Sequence, residues 1–166
     1  MRKITSAILC FLLFLTAIPI EKAKAAATNG VQTVTQEEQS VLSALETFYG
    51  ALNTLFTGNG APMKAAWSHA ADISYMGPDG LHMIGWDQIG PLWENVAAAK
   101  LGGQVSAQDV HVVIGGTMAL VTCVERGENV INGKPQTVEI RSSTVFRQED
   151  GVWKVIHHQT DLLPYM

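Results

Sequence analysis

The chain has 166 residues, with 11 Lys and Arg against 15 Asp and Glu, for a net charge of −4. That length suits one domain with a sizeable core, and the acidic balance argues against nucleic acid as a partner. Two cysteines, Cys10 and Cys123, and five scattered histidines match no metal-finger spacing, and no phosphate-cradling glycine motif or internal repeat is visible.

Residues 1–25 read as a secretory signal peptide. Arg2 and Lys3 precede an almost wholly apolar run over residues 4–20, and Ala23-Lys24-Ala25 is a small-x-small cleavage site. The competing reading is an uncleaved anchor, for which the run lies near the short limit of a membrane span. Export to a periplasm or out of the cell is therefore expected, with no membrane contact after signal removal. Cys10, followed by Phe-Leu-Leu, is a poor lipid-attachment site. Cleavage removes four basic residues and one acidic residue, leaving a net charge of −7. It also leaves Cys123 alone, so no intrachain disulfide can form. Cys123 lies in an apolar strand pattern and reads as a small buried hydrophobe rather than a nucleophile. Residues 26–34 read as a flexible polar leader, and the single domain is expected over residues 35–163.

Thr35-x-x-Glu38 is a capping box that opens a helix. Val41, Leu45, Phe48, Leu52 and Leu55 form its apolar stripe, and Thr57-Gly58-Asn59-Gly60 stops it. Pro62 opens a short second helix, to about Trp67. Residues 72–76 are a short strand, residues 77–80 a turn, and residues 81–84 the return strand. Gly85 breaks this hairpin. Ile89, Leu92, Trp93 and Val96 mark a third helix to about Lys100, with Pro91 in its first turn or at a kink. From Gln104 the apolar period becomes two. Strands are predicted over residues 105–114 and 117–129, joined at Gly115-Gly116, and Asn132-Gly133 marks the next hairpin. Residues 138–161 form two long strands about a tight turn at Asp150-Gly151. The fold class is α+β: a curved antiparallel sheet of about six strands, with three N-terminal-side helices on its concave face.

Strict alternation puts Trp153, Val155, His157, Gln159 and Asp161 on one face of the last strand. Lys154, Ile156, His158 and Thr160 lie on the other. The segment Thr144-Val145-Phe146-Arg147, followed by Asp150-Gly151-x-Trp153-Lys154-Val155-Ile156-His157, resembles the closing hairpin of the nuclear transport factor two-like (SnoaL-like) superfamily. The order of elements before it resembles that family as well. The resemblance implies a cone-shaped domain. Its relatives include ketosteroid isomerase-like enzymes, polyketide cyclases, scytalone dehydratase-like enzymes and the kinase association domain. Two positions depart from the pattern: Gln159 stands where a second His is common, and Asp161 where a Ser is common.

Cones of this size hold small ligands in apolar pockets with a few placed polar groups. His157 is the first candidate for proton transfer; the competing reading is a hydrogen-bonded sheet histidine. Gln159 would orient a ligand carbonyl. Asp161, about 13 Å from His157 along a straight strand, is out of pairing reach, and a wet rim suits both. Asp72 and Tyr75 sit on the first short strand, Asp72 as a base or a turn cap, Tyr75 as an oxyanion donor. His82 is inward or exposed, and Trp86, Trp93 and Tyr49 serve as ligand walls or as core. Arg141 pairs with Glu139 or Glu125, or awaits an anion.

Two functional readings follow. The resemblance implies an exported isomerase, cyclase or dehydratase that needs neither cofactor nor metal, acting on a small apolar or carbonyl-bearing molecule. The other reading is a non-catalytic ligand-binding or self-assembly module, a homodimer through the sheet.

Overall fold

The computed structural model describes residues 34–131 and 133–162. The signal peptide, Cys10 and nearly all of the leader fall outside them. Helix α1 (Gln36–Leu55) starts as its capping box requires: Thr35 Oγ1 accepts the Glu38 N–H at 3.1 Å. Its buried stripe is Val41, Leu45, Phe48, Tyr49, Ala51 and Leu55. Helix α2 (Ala61–Ala66) carries Pro62 in its first turn, where a missing N–H costs nothing. Strands β1 (Ser74–Met76) and β2 (His82–Ile84) form the small hairpin. Helix α3 (Trp86–Ala99) places Pro91 in its second turn, where it cannot donate to the Asp87 carbonyl. Strands β3 (Gln104–Gly115), β4 (Met118–Ile131), β5 (Lys134–Glu149) and β6 (Val152–Leu162) form the meander.

The six strands make one sheet in the order β2-β1-β6-β5-β4-β3, antiparallel except where β1 meets β6. The helices cover one face of this curved sheet, and the core lies between. Trp67, Phe48, Phe146, Leu55, Met63 and Ile73 are its largest fully buried side chains. At the closing turn Asp150 (φ 51°) and Gly151 (φ 78°) both take positive φ, which a two-residue hairpin needs to match strand twist. Among the described residues no helix is long and apolar enough to cross a membrane.

Two bulges interrupt the alternation of faces. Between β5 and β6, Val145 pairs with His157 but Phe146 pairs with Val155, so Ile156 stands unopposed. One extra residue inverts the phase of everything beyond it. Trp153 and Val155 face inward before the bulge; His158 and Thr160 face inward after it. The predicted continuous face from Trp153 to Asp161 is thereby corrected. His157, Gln159 and Asp161 lie on the outer face. In β3 the register shifts between Gln108 and His111, and Asp109 takes φ 54°.

An ionic clasp ties the α2–β1 connection to the meander. Arg147 Nη1 donates to Asp72 Oδ2 and Nη2 to Glu149 Oε1, both at 2.7 Å, and Ser68 Oγ donates to the same Glu149 oxygen at 2.8 Å. The hydrogen bond from Arg147 holds the Asp72 carboxyl below the usual carboxylate range. Burial pushes Glu149 up, but the bonds from Arg147 and Ser68 outweigh it and hold it low as well. Stability gained from such depressed carboxyls is present above the ordinary range and lost as pH falls through the depressed values.

Two expectations follow from these contacts. Trp153 is buried and its Nε1 donates to Ser40 Oγ at 2.9 Å, so Trp153→Ala should cost about 3–5 kcal/mol in denaturant unfolding; an unchanged midpoint would contradict the packing. Arg147→Gln should unfold at lower denaturant than wild type at neutral pH. The gap should shrink as pH falls below about 4; a gap constant down to pH 2 would show that the clasp contributes nothing.

Candidate functional site

The inner sheet face carries a buried polar chain. Along β4 the residues Ala119, Val121, Cys123 and Glu125 all point inward, so Glu125 occupies a place that alternation reserves for an apolar side chain. It is 3 % exposed. Tyr49, from the buried stripe of α1, donates to Glu125 Oε1 at 2.9 Å and lies 3.3 Å from Cys123 Sγ. His158, delivered inward by the β5–β6 bulge and 4 % exposed, places Nε2 3.4 Å from the same Oε1. Its Nδ1 lies 2.9 Å from Thr144 Oγ1, directly across the ladder.

Aromatic rings surround the imidazole. Phe48 tilts against it at 4.9 Å, and Tyr75 stacks parallel to it at 6.2 Å. Tyr75 in turn meets Trp93 edge-on at 5.1 Å and Trp67 at 6.4 Å. Among the described residues, Ser142 Oγ, Thr160 Oγ1 and the Nε1 atoms of Trp67 and Trp93 are buried polar atoms with no hydrogen-bond partner. Ser142 and Thr160 are direct cross-strand partners.

Burial pushes the Glu125 carboxyl up, but His158 and the Tyr49 hydroxyl outweigh it, so the net shift is downward. Burial, then the Glu125 charge, raises Tyr49, which stays protonated and donating. Burial, then Asp79, raises Tyr75. Burial likewise raises the Cys123 thiol, as a small buried hydrophobe requires.

A cavity of about 400 Å³ opens between α1 and β3, walled by Leu42, Leu45, Val105, Ala107 and Val110 and reaching Tyr49. The β3 bulge sets Asp109 and Val110 across from the single residue Cys123, which is how Val110 comes to line it. Asn53 fixes one wall: its Nδ2 donates to the Val105 carbonyl at 2.9 Å, and its Oδ1 accepts the Val105 N–H at 2.8 Å.

The residues singled out from sequence separate into two groups. Tyr49 and Trp93 lie in the core, and Tyr75 packs against it on Trp93. His157 lies on the outer face, with Nδ1 2.7 Å from Ser74 Oγ. Burial, then the neighbouring His158 and His82, lowers its pKa. Asp72 is exposed in the Arg147 clasp, and His82 is exposed on the edge strand β2. Trp86 stacks on His69 at 3.9 Å at the margin of the core. Gln159 borders an outer-face hollow of about 390 Å³ together with Arg141 and Asp161. Arg141 pairs with Asp161 through two bonds of 2.9 and 2.7 Å, not with Glu139 or Glu125. Glu125, His158 and Thr144 were not anticipated. Glu125 was legible, being in phase with an apolar row; His158 was hidden by the bulge. Among the described residues no group of three or more His, Cys, Asp or Glu is placed to hold a metal ion.

Comparison with known proteins places this fold. Residues 41–165 match the model of the SnoaL-like domain family. A candidate dehydratase of the nuclear transport factor 2-like family from Streptomyces avermitilis superposes with TM-score 0.67 at 22 % identity, covering 76 % of this chain and 97 % of that one. A nuclear transport factor 2-like superfamily protein from Salmonella enterica gives TM-score 0.66 at 15 % identity, with coverages of 77 % and 93 %. The CamKII hub homology domain of Chlamydomonas reinhardtii gives 0.59 at 20 %, with coverages of 74 % and 96 %. At these identities the likeness is one of fold. A search of curated proteins gave no match. The family match over most of the chain and the shared cone architecture agree: this chain belongs to the SnoaL-like domain family.

Proposed function

We propose that this domain binds a small apolar, carbonyl-bearing molecule and moves a proton on it, as an isomerase, cyclase or dehydratase without a cofactor. The single observation that carries this is the buried carboxylate–imidazole contact of Glu125 and His158, closed by Tyr49 at the end of the α1–β3 cavity. A buried carboxylate faced by an imidazole at 3.4 Å brings two titratable groups together, which suits acid–base chemistry. The role first expected of His157 passes to Glu125.

Glu125 is the base. Two donors hold it ionised; if Tyr49 turns its hydroxyl to a ligand carbonyl, the carboxylate loses one of them, and burial then raises its proton affinity. Glu125 returns the proton at its new position, and the Nε2–H of His158 holds the carboxylate in place. Tyr49 and Tyr75, both held protonated, are the oxyanion donors. The candidate dehydratase among the structural relatives is consistent with this chemistry.

A second reading rests on the outer sheet face, where Val113 and its cross-strand partner Leu120 are 51 % and 38 % exposed beside Met118. An exposed apolar strip on a sheet suits self-association, and one structural relative is a hub homology domain by name. We propose a homodimer through this face, compatible with either activity. Export by the signal at residues 1–25 is also proposed, on its basic start, apolar run and Ala23-Lys24-Ala25 site.

A thermal-shift screen of the purified chain against small ketones, steroids and polyketides tests the ligand reading, since ligand that binds only the native state raises its midpoint, by about 2.7 kcal/mol of stability at a hundredfold excess over Kd. Glu125→Gln and His158→Gln should abolish turnover of any ligand found, and His157→Gln should keep it. The reverse pattern would move the site to the outer face. Leu120→Glu should convert dimer to monomer in sedimentation; an unchanged mass would exclude this interface.

A further inference from the structure

Both ring nitrogens of His158 are occupied, and the two contacts are chemically unequal. Nε2 faces Glu125 Oε1 at 3.4 Å, and Nδ1 faces Thr144 Oγ1 at 2.9 Å. A carboxylate only accepts hydrogen bonds, whereas a hydroxyl rotates to donate or accept. In a neutral ring, a bare Nε2 would set its lone pair against a carboxylate oxygen. The hydrogen therefore belongs on Nε2, which leaves Nδ1 as an acceptor that only a donor can satisfy. Thr144 is fully buried and directly opposite His158 in the β5–β6 ladder. The same Oε1 already takes the Tyr49 hydroxyl at 2.9 Å. Such placement arises only because Ile156 is bulged out, which brings His158 and Thr144 to the same face.

We propose that Thr144 is a positioning residue: its hydroxyl donates to Nδ1 of neutral His158 and fixes the ring with its Nε2–H aimed at Glu125. The consequence is directional. Only Nε2 meets Glu125 or a molecule beside it, as a hydrogen-bond donor, and Nδ1 is kept out of the chemistry. This proposal rests on reading Glu125 and His158 as the working pair, but its test uses the unliganded protein, so an empty ligand screen leaves it standing.

The test is a long-range proton–nitrogen correlation spectrum of the uniformly ¹⁵N-labelled full chain at pH 8, above the ordinary imidazole value of about 6.5. His158→Gln and His157→Gln assign the two rings. In wild type, Nε2 of His158 should resonate in the protonated region and Nδ1 in the unprotonated region, displaced by its hydrogen bond. Thr144→Val removes the hydroxyl at nearly constant volume and should move Nδ1 toward the position of a free ring nitrogen. Thr144→Ser should restore the wild-type position. A wild-type ring protonated on Nδ1, singly or doubly, overturns the proposal without any variant. So does a folded Thr144→Val protein whose Nδ1 resonance is unmoved.

Discussion

One carboxylate oxygen, Glu125 Oε1, is the point about which this interior is arranged. It takes a hydrogen bond from Tyr49 on α1 and faces His158 on β6, so helix and sheet meet at one atom. A lone buried carboxylate is costly because water no longer solvates it. The tyrosine and the imidazole offset that cost, and each is held by a second contact: Tyr49 by packing edge-on against Phe48, His158 by Thr144. Removing Tyr49 or His158 leaves the buried Glu125 with one contact in place of two, which is why the group behaves as a unit.

The aromatic residues have a different task. Trp67, Trp93, Tyr75 and Phe48 belong to the apolar surroundings of the chain of polar atoms and lower the local dielectric. That environment strengthens each hydrogen bond inside it. It also explains why the tyrosine hydroxyls are pushed away from ionisation. Fold class and charge environment are therefore not separate matters here. The curvature that makes room for the rings also makes the carboxylate dependent on its donors.

Much of the architecture was legible before any coordinates. The capping box at Thr35, the stripe through Leu55, the Asp150-Gly151 turn and the period-two strands each carry a local signal strong enough to fix an element. The candidate site was legible only in part. Tyr49 lies on a helical stripe and Glu125 in phase with Cys123, so both follow from counting. His158 does not, because a bulge is set by how two strands pair, and nothing in the run Val155-Ile156-His157-His158 announces which residue will be left unopposed. One unopposed residue exchanged two adjacent histidines between the faces. The partner of Arg141 was missed for a related reason: cross-strand register, not separation along the chain, brings it opposite Asp161.

The amide of Asn53 has a consequence beyond the wall it stiffens. Strand β3 is a long outermost strand, and its free backbone groups are an invitation to any passing extended chain. By capturing both the N–H and the C=O of Val105, one side chain of α1 impersonates a seventh strand for a single residue pair. Farther along, Asp109 kinks the same border out of regular pairing. Together they interrupt the flat ribbon along which aggregation could propagate on this flank of the sheet.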